Sequence, residues 1–369
     1  MGGVARRSAA GEARVLTGAH AAAAQRSTRA RLLAWYRSHR RDLPWRRSRD
    51  PYAVWISEAM LQQTRVETVI PYWERFLARF PDVRALAEGT VDEVLALWSG
   101  LGYYRRARTL HAAARAIVAL HGGEVPRDRG QVLELPGVGP YTAGAVLSIA
   151  YGLPEALVDG NVARVLARWF ELDGEPGTKA FDGRVWELAR ALIPSEGSAG
   201  DWNEALMELG ALVCTPRGPG CERCPVRAHC GARAAGRVEE LPRPKRRRAT
   251  LEVELVVLVD EDRSGLLLEQ RPEHGRMAAM WQLPTIELGV HARIAPLTWP
   301  AGARVVLGAP LGELAHTITH HRIRASVRRG SLRDSALPPR WRRVSGDELR
   351  RLALTGMTKK ALAAPFFRG

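Results

Sequence analysis

The stretch LPGVGPYTAGAVLSIAYGLPEALVDGNVARV, residues 135–165, decides how this chain is read. Leu135-Pro-Gly-Val-Gly139 is a tight turn, and Pro140 opens a helix at the position where a missing N–H costs nothing. The backbone amides of a turn holding Gly137 and Gly139 are free to hold an anion, and such a turn before a helix N-terminus is a common phosphate grip. The same stretch then delivers an acid. Asp159 precedes Gly160-Asn161 and the amphipathic run Val162, Val165, Leu166, Trp169, so it stands where a second helix begins, as a cap or as chemistry.

The phosphate expected on such a grip is set by the rest of the composition. The 369 residues carry a net charge of +16 and a pI near 10.6, almost wholly through arginine, because Lys179, Lys245, Lys359 and Lys360 are the only lysines. Arginine favours bidentate phosphate contacts, so nucleic acid is the expected partner. Genomic composition bias also enriches Arg and Ala, but it does not generate motifs. No apolar run approaches the ~20 residues that span a bilayer, and the N-terminus has no apolar secretion core, which predicts a cytoplasmic protein associated with the nucleoid through DNA.

Length predicts two domains. Residues 1–27 read as a disordered Ala/Gly/Arg arm. From Thr28 onward the pattern is helical, with candidate helices at 28–39, 51–69, 71–79, 91–98, 104–121, 130–135, 140–151, 161–170, 184–193 and 201–213. Residues 236–249, with prolines at 242 and 244 among basic residues, read as an exposed linker. Beyond it the texture turns to strands at 251–259, 266–272, 304–308 and 320–332, with a hairpin turn at Asp262–Gly265 and a helix opened by a capping box at Ser345 and Glu348. Residues 250–369 are thus a separate α+β domain.

Two further features carry chemistry. DPYAVWISEAMLQQTRVETVI (50–70) reads as a helix capped by Asp50, with Glu58 two turns in among apolar neighbours. A carboxylic acid held against such a surface has its pKa raised, the condition for a general acid near neutrality; a solvated helix glutamate is the plain alternative. The four cysteines follow the spacing Cys214-x6-Cys221-x2-Cys224-x5-Cys230. A cytosolic cluster of this kind reads as a metal site, and both zinc and an iron–sulfur cluster take four cysteines.

WISEAMLQQT, GLGYYRRAR (100–108), LPGVGPYTAGA and VDGNVARV, in this order and followed by the cysteines, resemble the adenine DNA glycosylases of the MutY type, members of the helix-hairpin-helix glycosylase superfamily related to endonuclease III. The resemblance runs from about 28 to 230 and more faintly over 250–365. It implies a mainly α helix-hairpin-helix glycosylase domain at 28–235, a [4Fe–4S] loop at 214–230, and a C-terminal Nudix-like domain that reads the lesion. It also implies a monomeric base-excision repair enzyme acting on double-stranded DNA. Adenine opposite 8-oxoguanine or guanine is flipped from the stack and cut from its sugar.

By the same resemblance Glu58 is the acid that protonates the adenine ring, and Asp159 the carboxylate that stabilises the cationic sugar, with Tyr141 and Asn161 set against them. Gln63 and Tyr103 enter the duplex near the orphan base, Gly137 and Gly139 hold phosphate, and Arg217 of the cysteine loop faces DNA. In lyase-competent relatives the position of Tyr141 is a lysine that forms a Schiff base. No lysine precedes Lys179, so a monofunctional glycosylase is expected. Thr319 and His320 match the loop that inspects 8-oxoguanine, with Ile318 where the family usually has an aromatic. Only Glu287 lies between Leu283 and Glu313, too few glutamates for a magnesium-dependent Nudix hydrolase. An endonuclease III-like glycosylase for oxidised pyrimidines and a non-catalytic iron–sulfur DNA-binding protein are the alternative readings.

Overall fold

The computed structural model describes residues 19–367, apart from 196, 246–248, 274, 276, 289–298, 300–301, 319 and 335. Two compact units each draw on two stretches of chain, 1–59 with 125–246 and 60–124 with 247–369.

In the first unit, α1 (Ala19–His39), the start of α2 (Pro51–Leu61), α9 (Gly160–Trp169), α10 (Lys179–Leu192) and α11 (Ala199–Leu212) surround one core. α1 begins nine residues before the expected Thr28, because the alanine-rich run at 19–24 is good helix former; the earlier part of the expected arm, 1–18, lies outside the described residues. α9 buries the face formed by Val162, Val165, Leu166 and Trp169. α11 buries Trp202, Leu206 and Leu209 opposite it. Complete burial of each such side chain stabilises the fold by about 1.5–3 kcal/mol. Glycines let the backbones meet closely. A Cβ on Gly144 would stand 2.1 Å from the Ala156 carbonyl oxygen, and one on Gly210 would stand 2.6 Å from Asn161 Cβ.

The helix pair joined by the glycine turn is present. α7 (Arg129–Glu134) and α8 (Pro140–Ala145) flank it, Gly137 has φ 76°, and the helix continues past Ala145 in a wider turn through Ala150. Left-handed backbone at 137 is the conformation that glycine adopts without cost.

The second unit contains α3 (Val66–Arg79), α4 (Val83–Glu88), α5 (Val91–Trp98) and α6 (Arg105–His121), together with the strands. The continuous helix expected over 51–69 is broken. α2 stops at Leu61, a turn follows, and α3 then runs straight through Pro71, so that the separate 71–79 helix merges into it. Phe76, Phe80 and Trp98 are fully buried here, Phe76 meeting Trp98 edge-on at 6.1 Å.

Two small sheets follow, and their strands β1 (Leu251–Val259), β2 (Glu261–Asp262) and β3 (Gly265–Gln270) open with the expected hairpin, Glu261 facing Leu266. Next come β4 (Trp281–Gln282), β5 (Thr285–Leu288), β6 (Val305–Ile318), β7 (His321–Leu332) and β8 (Trp341–Val344). One sheet has the order β5-β1-β7-β6, with β1 and β7 parallel; in the other, β3 pairs with β2, β4 and β8. β6 is far longer than the expected 304–308. Its register shifts at Pro310, a bulge that lets a residue without an N–H stay in a strand. The capping box at Ser345 and Glu348 starts α13 (Gly346–Arg351), and α14 (Gly356–Ala363) closes the unit. Lys359 Nζ on α14 donates to Ser99 Oγ at 2.6 Å, tying the helical and strand parts of this unit together.

Candidate active site

Glu58 is 3 % exposed on α2. The Tyr141 hydroxyl, from the first turn of α8, donates to its Oε2. Burial pushes the Glu58 carboxyl up to about 7, and the nearby charges of Asp159 and Glu204 push the same way; the Tyr141 hydrogen bond and Arg46 oppose them. Near pH 7 the group therefore exists in comparable amounts as acid and carboxylate, the condition for giving up a proton and taking one back.

Asp159 takes the cap position at the start of α9. Its Oδ1 caps α9 by accepting the Val162 amide at 2.7 Å, while Oδ2 accepts Asn161 Nδ2 at 3.1 Å. Burial raises its pKa, and the Val162 and Asn161 donors pull it back. Burial pushes the Tyr141 phenol well above its ordinary range, and both carboxylates push the same way. Glu58, Tyr141, Asp159 and Asn161 are thus brought into one electrostatic neighbourhood by α2, α8 and the start of α9.

Charged residues that the sequence did not single out act on Glu58 through Glu204 and Arg46. Arg46 Nε meets Glu204 Oε1 at 3.2 Å and Arg46 Nη2 meets Glu208 Oε2 at 3.0 Å; Arg41 closes on Glu208 from its backbone N–H and guanidinium at 2.8–3.0 Å. The two cations hold Glu208 down to about 2, whereas Glu204 is raised by burial. Two glutamates one helical turn apart in WNEALMELGAL (202–212), apolar but for them and Asn203, were the available signal.

Other expected site residues fall elsewhere. Gln63 and Tyr103 lie in the second unit, both with left-handed backbone at φ 59° and 50°, and Tyr103 is 45 % exposed. Arg217 is exposed in the cysteine loop. Thr319 lies outside the described residues; His320 sits in the turn between β6 and β7, its ring 4.2 Å from that of His321.

All four cysteines line one small cavity with Val165, Trp169 and Leu209, and none forms a disulfide. Arg168 is buried beside them, its Nη1 3.5 Å from Cys214 Sγ and its other donors on the carbonyls of Thr215, Pro216 and Leu241. Among the described residues no three His, Cys, Asp or Glu side chains converge tightly enough for a single metal ion.

Residues 56–191 match the model of the HhH-GPD superfamily of base excision DNA repair proteins, and residues 255–364 match the NUDIX domain. The adenine DNA glycosylase of Rattus norvegicus is 35 % identical over 395 residues, which cover 90 % of this chain and 76 % of that protein. The chain belongs to the adenine DNA glycosylase family. The Homo sapiens adenine DNA glycosylase is likewise 35 % identical, over 90 % of this chain and 72 % of its own length. The solved structure of a thermostable thymine-DNA glycosylase superposes with a TM-score of 0.52 at 32 % identity, covering 58 % of this chain and 98 % of the other. The fold is therefore a helix-hairpin-helix domain with a C-terminal Nudix-like α+β part, and the activity is excision of adenine in base excision repair. DNA is the partner. No helix among the described residues is long and apolar enough to cross a membrane.

Proposed function

We propose that this adenine DNA glycosylase is monofunctional and monomeric and acts on adenine opposite 8-oxoguanine or guanine, with Glu58 as acid and Asp159 as the counter-charge. The observation that carries the reading is the buried Glu58 carboxyl, held by Tyr141 and poised near neutrality while a second carboxylate stands beside it.

The extruded adenine meets Glu58, which delivers its proton to a ring nitrogen. The glycosidic C–N bond then breaks with its electron pair leaving on the base, which departs neutral rather than as an anion. Positive charge develops on the sugar, and the Asp159 carboxylate, oriented by Asn161, stabilises it. Water adds to the sugar carbon and loses its proton to a carboxylate. Tyr141 orients Glu58 and offers no amine for a Schiff base, so no strand cleavage follows.

In this reading 28–235 is the glycosylase domain, 236–249 the linker and 250–369 the lesion-reading domain, in which Thr319 and His320 hydrogen-bond the altered base. Gly137, Gly139 and Arg217 take phosphates, and Gln63 and Tyr103 enter the duplex. The four thiols lining one cavity beside a buried arginine suit a [4Fe–4S] cluster held by Cys214, Cys221, Cys224 and Cys230. Bound there, it supplies structure and shapes the 215–220 loop for DNA backbone, and the excision chemistry needs no electrons from it. Broad visible absorption with iron and sulfide in equal amounts supports the cluster; stoichiometric zinc in a colourless protein rejects it.

Single-turnover adenine release from duplexes with adenine opposite 8-oxoguanine, guanine or thymine tests the substrate. Fast release from the first two and slow release from the third is expected, and equal rates on all three would refute it. Borohydride should trap no covalent DNA adduct.

A further inference from the structure

Left-handed backbone is uncommon for a residue with a side chain, and it persists where the surroundings over-determine it. Gln63 and Tyr103 both adopt it, on different connections of the same unit: Gln63 between α2 and α3, Tyr103 between α5 and α6. One side chain reaches both connections. Arg106 Nη1 donates to the carbonyls of Met60 at 2.8 Å and Gln62 at 2.5 Å, and Nη2 donates to Thr64 Oγ1 and the Gly102 carbonyl, each at 3.1 Å. Its guanidinium carbon lies 5.3 Å from the ring centroids of Trp98 and Tyr103. Trp98 Nε1 also donates to the Gly102 carbonyl, at 3.1 Å.

We propose that Arg106 is a positioning residue that couples Gln63 and Tyr103 into one preformed wedge, so that both enter the duplex together as the adenine nucleotide is extruded. The inference rests on the reading of Gln63 and Tyr103 given above. The residue type fits the task. A planar guanidinium presents five donors in a fixed fork and can bridge three backbone carbonyls and a hydroxyl, whereas a lysine ammonium has three donors on one atom. Burial lowers the Arg106 pKa to about 10, so the group remains charged near neutrality. That desolvation is tolerated where charge-assisted bonds replace the lost water. Fixing both connections beforehand removes the ordering cost that two loose loops would incur on meeting DNA.

The test uses the full chain and a mispaired duplex with 2-aminopurine in place of the target adenine, whose fluorescence rises on unstacking. Arg106→Lys should slow the unstacking phase about ten- to hundredfold, the equivalent of losing charge-assisted hydrogen bonds, with the melting midpoint held within a few degrees. In a Tyr103→Ala background the same substitution should change that phase by less than about threefold, because residues that act as a unit are not additive. Losses that multiply through the cycle overturn the coupling while leaving the role of Tyr103 intact. Wild-type unstacking in Tyr103→Ala alone rejects the wedge reading and this inference with it. Should Arg106→Lys fail to fold, Thr64→Val removes one anchor without touching the arginine; slower unstacking supports the proposal, and wild-type unstacking overturns it.

Discussion

Glu58 on α2 and Glu269 on β3 are two buried glutamates with the same acidity and different company. They are 3 % and 7 % exposed, and burial pushes each up to about 7. Glu269 Oε1 accepts Gln282 Nε2 at 2.6 Å and the Thr285 amide at 3.1 Å, and Arg271 Nη1 in turn holds Gln282 Oε1 at 2.9 Å. Glu58 has a phenol and a second carboxylate instead. A raised pKa is thus common to both units; a neighbouring anion that can face a developing cation belongs to Glu58.

The sharpest way to break the comparison is to neutralise each in turn. Glu58→Gln should lower single-turnover adenine release by about 10²–10⁴-fold, the range for removing a general acid, with duplex binding kept. Glu269→Gln should leave the rate within about twofold on the same measure, as expected of a group outside the reaction. Equal losses in both would mean that acidity, not company, had been mistaken for chemistry.

Asp159→Asn comes next. Asparagine is as good an N-cap as aspartate, so α9 and the melting midpoint should survive the change. Losing the counter-charge should cost about 10²–10³-fold in excision. A variant that melts early and keeps its rate would leave Asp159 as a cap alone.

What could be read from the chain follows the range of the forces involved. Asp50, Asp159 and Ser345 were legible because a cap and the amide it accepts lie within three residues. The glycine turn before Pro140 was legible for the same reason. The break at 62–65 was not, since Gln-Gln-Thr-Arg carries no glycine or proline; there Arg106, more than forty residues away, takes the carbonyls of Met60 and Gln62 and the Thr64 hydroxyl. Glu204 and Glu208 were missed likewise, because their partners Arg41 and Arg46 are over 150 residues distant in the chain. The candidate acids were named from motifs, and the apolar neighbours of Glu58 on its helix already pointed to a raised pKa, whereas the opposing pull of Tyr141 and Arg46 comes from residues that no local pattern contains.

The comparison also predicts a stability difference. A glutamate whose folded pKa is near 7 against an unfolded value near 4.5 takes up a proton on folding. The fold is therefore not penalised below about pH 4.5, loses stability as pH rises through 7, and carries the whole cost above it. Glu269→Gln removes that slope. The variant should be more stable than the parent at pH 8, by a difference on the order of 3 kcal/mol at most, and no more stable at pH 4. Urea unfolding at the two pH values measures it, and a variant weaker at pH 8 would show that the ionised carboxylate is held rather than tolerated.

Tyr141→Phe sharpens the catalytic side with the smallest effect. The Tyr141 hydroxyl donates to Glu58, which favours the carboxylate and holds its pKa below the point where burial alone would leave it. Excision should rise with pH as Asp159 ionises and fall as Glu58 loses its proton past about 7. Removing the phenol raises the Glu58 pKa, so the falling limb should move to higher pH by about one unit, the worth of one charge-assisted hydrogen bond. The two carboxylates titrate as a coupled pair, so the limb reports the pair and not Glu58 in isolation. A limb that moves to lower pH would mean that Tyr141 stabilises the protonated acid rather than the carboxylate.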